Sequence, residues 1–119
     1  MTKKTAAKYW DDNATTWTTL ARLGYDTYRD FLNTPAFMKA LPEITEKYGL
    51  DIGCGEGHNT CLLTNAGAHM QAIDVSPVFI NYASQFEQAQ RLLLSIKWQM
   101  PHVCLFRIIH LILQRHLCR

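Results

Sequence analysis

Three alternate glycines constrain this chain most: Asp51-Ile52-Gly53-Cys54-Gly55-Glu56-Gly57, directly after the short apolar segment Tyr48-Gly49-Leu50. Without a Cβ at every second position the backbone can bend sharply and lie close against another surface. The segment therefore predicts a buried strand entering a tight bend. Residues 58–66 fit a helix that Gly67 is placed to stop. Residues 69–74 read as a second strand, and Ser76-Pro77 caps a helix over about residues 78–90. Strand, glycine bend, helix, strand, helix is the order of a parallel sheet with crossover helices, so the expected fold class is α/β.

A helical cap is expected ahead of the sheet. Asp11-Asp12-Asn13 supplies capping side chains for a helix whose buried face holds Trp17, Leu20 and Ala21, and Gly24 ends it. A second helix is expected from Asp26 towards Leu32, and Thr34-Pro35 opens a third, with proline in the favoured first turn. Pro42 closes the cap. The aromatic residues Tyr9, Trp10, Trp17, Tyr25 and Tyr28 read as packing of this cap rather than as ligand contacts.

The bend also carries chemistry. A dinucleotide site needs a third glycine at position 58, where this chain has His58. An acid, Asp51, stands two residues before the first glycine; it would repel a phosphate but suits a cationic ligand. Seventeen residues after Gly57, at the end of the second strand, Asp74 can accept hydrogen bonds from both hydroxyls of a ribose. A glycine bend and a strand-end acid can each be purely structural; the pair at this spacing points to a ligand. Asp51 and His58 together disfavour a nicotinamide-dependent oxidoreductase.

Residues 50–57, with Ala72-Ile73-Asp74-Val75-Ser76, resemble class I S-adenosylmethionine-dependent methyltransferases, in particular the small-molecule methyltransferase type 11 group. Tyr9-Trp10-Asp11, Trp17, Gly24-Tyr25-Asp26 and Asn33-Thr34-Pro35-Ala36-Phe37 are similar to the lid of such proteins, so the resemblance covers about residues 8–90. It implies an N-terminal helical cap or lid (1–47) and the first half of a Rossmann-like parallel sheet, incomplete (48–99). It further implies S-adenosylmethionine as cofactor, a small-molecule acceptor, and no nucleic-acid or membrane partner. By the same resemblance Asp51 accepts from the methionine amino group, directly or through water. Gly53, Gly55 and Gly57 let the loop pass under the methionine and ribose, Asp74 holds the ribose hydroxyls, and Val75 packs on the adenine. His58 and Asn59 are placed to touch the cofactor carboxylate. No catalytic side chain is assigned, because the sulfonium already carries an activated methyl and the protein mainly aligns a nucleophile with it.

Composition bounds the rest. In 119 residues there is room for one domain, and an overall charge of +2 excludes a strongly basic nucleic-acid binder. Cys54, Cys61, Cys104 and Cys118 fall at no C-x-x-C spacing, so they read as packing residues, with no metal site. No apolar stretch follows the basic N-terminus, which gives the cytosol as the expected compartment. The apolar segment 103–113 is short of the ~20 residues a membrane span needs.

The charge is unevenly spread. Residues 1–87 hold all ten acids, whereas residues 88–119 hold five of the twelve Lys and Arg and no acid. Residues 100–119 also lack Gly and Ala. Read one base out of register from the end of the Gln99 codon, the tail can encode D-A-T-C-L-P-F-P-D-N-S-F-D-F-A-T-A-F-M-S. That resembles what the family places next, an adenine-side acid and then a segment leading into a fourth strand. A frameshift between about Arg91 and Met100 is the expectation, with residues 100–119 an out-of-frame tail; it requires a final G in the codon of Arg107 and a final T in that of Ile109. The alternative is a basic amphipathic helix over residues 103–117.

Overall fold

A computed structural model describes residues 5–90 and the backbone of residues 95–96. Helix α1 (Ala6–Arg22) comes first; the chain then turns through Gly24 and runs helically over residues 27–40. That run contains a π-helical turn (Arg29–Asn33) followed by α2 (Thr34–Ala40). Next come β1 (Tyr48–Ile52), α3 (His58–Asn65), β2 (His69–Ile73), α4 (Pro77–Gln90) and β3 (Ser95–Ile96). The strands lie in the order β1-β2-β3 and both pairings are parallel, with Tyr48 opposite His69 and Gln71 opposite Ser95. This is the α/β arrangement expected: a helical cap and the first part of a Rossmann-like sheet.

Three sequence expectations about the cap need correction. Helix α1 starts at Ala6, not after Asn13; its N-cap is Thr5, whose hydroxyl oxygen accepts from the Lys8 N–H at 3.3 Å. Asp11 does cap a helix, but another one: its carboxylate accepts from Ser76 Oγ at 2.6 Å and from the Val78 N–H at 3.2 Å, at the start of α4. The buried stripe of α1 is Ala14, Thr18 and Ala21, while Trp17 and Leu20 face outward. Small side chains at that spacing let α1 lie close against α4, whose Phe79 and Ala83 are buried.

The second and third expected helices are one continuous run. Pro35 has no N–H to give to the preceding turn, and the wide π turn ahead of it accommodates the ring, with the Thr34 N–H bonded back to the Arg29 carbonyl. The side chain of Asp26 starts the run by accepting from the Arg29 N–H at 3.1 Å.

The core lies between the sheet and its helices. Cys61, Ala68 and Met70 form one cluster, with Ile44, Leu63 and Phe86 against it, and Ile73 packs on Leu50. A buried ion cluster fixes the cap to the sheet. Glu56, only 6% exposed, accepts from Arg29 Nη1 at 3.1 Å and lies 3.6 Å from Arg22 Nε. Arg29 also reaches Asp30 at 2.8 Å and the Ala21 carbonyl at 3.2 Å, so one guanidinium joins α1, the π turn and the bend.

Removing one partner of a buried ion cluster leaves uncompensated charge. Glu56→Ala is therefore expected to lower unfolding stability by about 3 kcal/mol, read as a fall in the urea midpoint of the full chain. An unchanged midpoint would mean the cluster contributes nothing to holding the cap.

Candidate functional site

The bend between β1 and α3 is pinned from below by β2. The N–H groups of Gly53 and Cys54 both donate to the Ile73 carbonyl, at 2.9 and 3.0 Å. From beyond β2, Asp74 accepts from the Gly55 N–H at 2.9 Å through one oxygen and from the Ser76 N–H at 2.9 Å through the other. Each oxygen keeps a second lone pair for a ligand hydroxyl.

The glycines divide by role. Gly53 and Gly55 have φ of +78° and +56°, and a Cβ built on either meets nothing within 4 Å. They face open space that side chains would begin to fill. Gly57 caps α3 with φ +89°, and a Cβ there would stand 3.1 Å from the Cβ of Ala83. It serves the contact between α3 and α4, and it borders neither of the two cavities on the bend.

Those cavities carry the candidate site. The larger, about 430 Å³, is bordered by Gly53, Gly55, Asp74, Val75, Trp10 and Trp17. The smaller, about 180 Å³, is bordered by Gly53, Gly55, Asp51, His58, Asn59 and again Trp17. The expected residues are thus gathered around one bend, with Asp74 and Val75 in one cavity and Asp51, His58 and Asn59 in the other. Trp10 and Trp17, assigned to packing by sequence, border the open space instead. Tyr25 and Tyr28 are exposed and pack little.

Sequence reasoning passed over Thr60. Its fully buried hydroxyl donates to Asp51 Oδ2 at 2.6 Å and so fixes the carboxylate that faces the smaller cavity. The signal available was a hydroxyl residue one turn into the helix that follows the bend.

The titratable side chains exclude one chemistry. Burial, with the negative charge of Asp74 next, pushes the Cys54 thiol up to about 12, and burial pushes Cys61 up to about 11. Both stay protonated near neutral pH, so neither is a thiolate nucleophile. His58 is held below its ordinary value, first by burial and then by the Arg29 guanidinium. It is a neutral imidazole near pH 7, able to accept as well as donate a hydrogen bond. Among the described residues no helix is long and apolar enough to cross a membrane. Cys104, Cys118 and the tail over residues 100–119 lie outside the described residues.

Residues 50–104 match the family model described as a methyltransferase domain. No curated protein matches the chain. Among solved structures, a TehB-like S-adenosylmethionine-dependent methyltransferase from Corynebacterium glutamicum is 25% identical with a TM-score of 0.50; the match covers 77% of this chain and 44% of that one. An S-adenosylmethionine-dependent methyltransferase from Aquifex aeolicus (18% identity, TM-score 0.57) is covered to 46%, over 70% of this chain. A complex between the Haloferax volcanii Trm112 methyltransferase activator and its methyltransferase (16% identity, TM-score 0.61) shares the fold over 82% of this chain and 42% of that one. The chain thus spans less than half the length of these structures. Over residues 50–104 the glycine bend and its flanking strands are thus similar to those of methyltransferase domains, and the fold is shared with S-adenosylmethionine-dependent methyltransferases.

A histidine whose folded value is depressed is protonated more readily in the unfolded chain. Stability is then lost as pH falls through about 6.5, where the unfolded state takes up its proton first. Comparing urea unfolding at about pH 7.5 and about pH 5.5, the wild-type chain should lose more stability than His58→Gln. Equal losses would show that His58 is not held neutral by its surroundings.

Proposed function

We propose that this chain binds S-adenosylmethionine along the Gly53–Gly55 bend and belongs to a protein that methylates a small-molecule acceptor. One observation carries the reading: two cavities meet over Gly53 and Gly55, the larger bordered by the carboxylate of Asp74 and the smaller by that of Asp51, with Asp26, Glu56 and Arg29 also on its edge. Their donor sets suit the two halves of this ligand. Asp51, held by Thr60, accepts from the methionine amino group. His58 and Asn59 lie beside it for the methionine carboxylate. Asp74 accepts from the ribose hydroxyls, and Val75 packs on the adenine. Gly57 contributes by setting the start of α3.

When bound, S-adenosylmethionine supplies a methyl group that passes to the acceptor's lone pair as the carbon–sulfur bond breaks, its electrons returning to sulfur and the acceptor proton leaving to water. The chain's own residues align and enclose. No base is required of them beyond what the acceptor itself needs, consistent with the protonated Cys54 thiol beside the smaller cavity.

A second reading is a remnant that holds the cofactor weakly without turnover. The acid-free composition of residues 88–119 favours it, with the out-of-frame tail that their codons allow. The position of β3 at Ser95–Ile96, parallel to β2, supports a family frame that continues at least that far. Sequencing the codons for residues 88–119 decides the frame: a final base other than G for Arg107, or other than T for Ile109, ends that reading.

Calorimetric titration of the full chain with S-adenosylmethionine and with NAD tests the cofactor. Saturable binding of the first and none of the second is expected. NAD binding without S-adenosylmethionine binding would contradict the proposal, and cofactor binding with no transfer of a labelled methyl to any acceptor supports the remnant.

A further inference from the structure

We propose that Trp17 is the residue by which this chain recognises the positive charge of the cofactor's sulfonium. The inference rests on the cofactor reading above. Among the described residues, Trp17 and the two side-chain-free residues Gly53 and Gly55 are the only ones that border both cavities at the bend. Trp17 is therefore, among the described residues, the one side chain standing where the Asp51 cavity meets the Asp74 cavity. In S-adenosylmethionine the sulfur is bonded between the amino-acid chain and the ribose. A ligand gripped at its amino end by Asp51 and at its ribose by Asp74 brings its sulfur to that junction.

The indole is built to wait there. It projects from the outward side of α1 and is 49% exposed, although α1 buries its opposite stripe. Trp10 meets it edge to face, with centroids 6.3 Å apart and planes at 87°, and Trp10 in turn rests on the buried Phe79 at 6.5 Å. A chain of three rings thus anchors Trp17 to α4. A tryptophan face attracts a cation through its quadrupole, and it offers no carboxylate that would compete with the acceptor for the methyl carbon. The attraction acts on the sulfonium and vanishes for the neutral thioether S-adenosylhomocysteine, so Trp17 favours the reactant over the product. The hydrogen bonds of Asp51 and Asp74 do not discriminate in this way, because the amino group and the ribose are the same in both molecules.

The test is calorimetric titration of the full chain with S-adenosylmethionine and with S-adenosylhomocysteine, for wild type, Trp17→Leu and Trp17→Phe. Trp17→Leu should shift the ratio of the two affinities by about two- to thirty-fold against S-adenosylmethionine, and Trp17→Phe by less. Should the leucine variant fail to fold by circular dichroism, the smaller shift of the phenylalanine variant decides. Equal weakening of both ligands, or none, would overturn the role of Trp17 while leaving the cofactor reading intact. Wild-type protein that binds neither ligand would overturn the cofactor reading, and the role of Trp17 with it.

Discussion

The carboxylate of Asp74 holds the site together. It accepts from the Gly55 N–H on one side and the Ser76 N–H on the other, so a single side chain at the end of β2 fixes both the bend after β1 and the entry to α4. At Gly53 and Gly55 the bend has no side chain with which to hold itself, so its order there has to come from other residues. Asp74 supplies it from above and the Ile73 carbonyl from below. The residue expected to grip a ribose is therefore also the one that keeps the surface under that ribose in shape.

The helical cap is bound to this arrangement at both ends. Asp11 near the start of α1 closes the N-terminus of α4, and Arg22 and Arg29 converge on Glu56 within the bend itself. Between these two clamps the outer side of α1 presents Trp10 and Trp17 to the larger cavity. Both clamps are polar and satisfied, and that fixes orientation more strictly than apolar contact does, because a misplaced charge leaves a buried partner unpaired. The cap is in this way part of the site rather than a lid resting on it.

The sheet and the bend were legible in sequence because their signals are local. Apolar runs, glycine spacing and a strand-end acid all act within a few residues, and β1, α3, β2 and α4 fall within a residue or so of their expected limits. What was hidden depends on partners far along the chain. Asp11 has the chemistry of a helix cap, yet the helix it caps begins 66 residues later, so a local reading assigned it to α1. Trp17 was read as core because aromatic residues at helical spacing usually are. The small stripe of Ala14, Thr18 and Ala21 won the buried side through its fit against α4. Thr60 escaped notice because a hydroxyl in a helix carries no mark of the carboxylate it will meet.

The central claim is a grip on one cationic ligand from two ends, and dissecting the ligand tests it most directly. Titrations of wild type and Asp51→Asn with S-adenosylmethionine and with 5′-methylthioadenosine, which keeps the ribose and adenine but lacks the amino acid, separate the ends. The asparagine variant should bind S-adenosylmethionine about ten-fold or more weakly, the loss expected for one charge-assisted hydrogen bond, and 5′-methylthioadenosine as well as wild type does. Equal loss for both ligands, or no loss for either, would contradict the account.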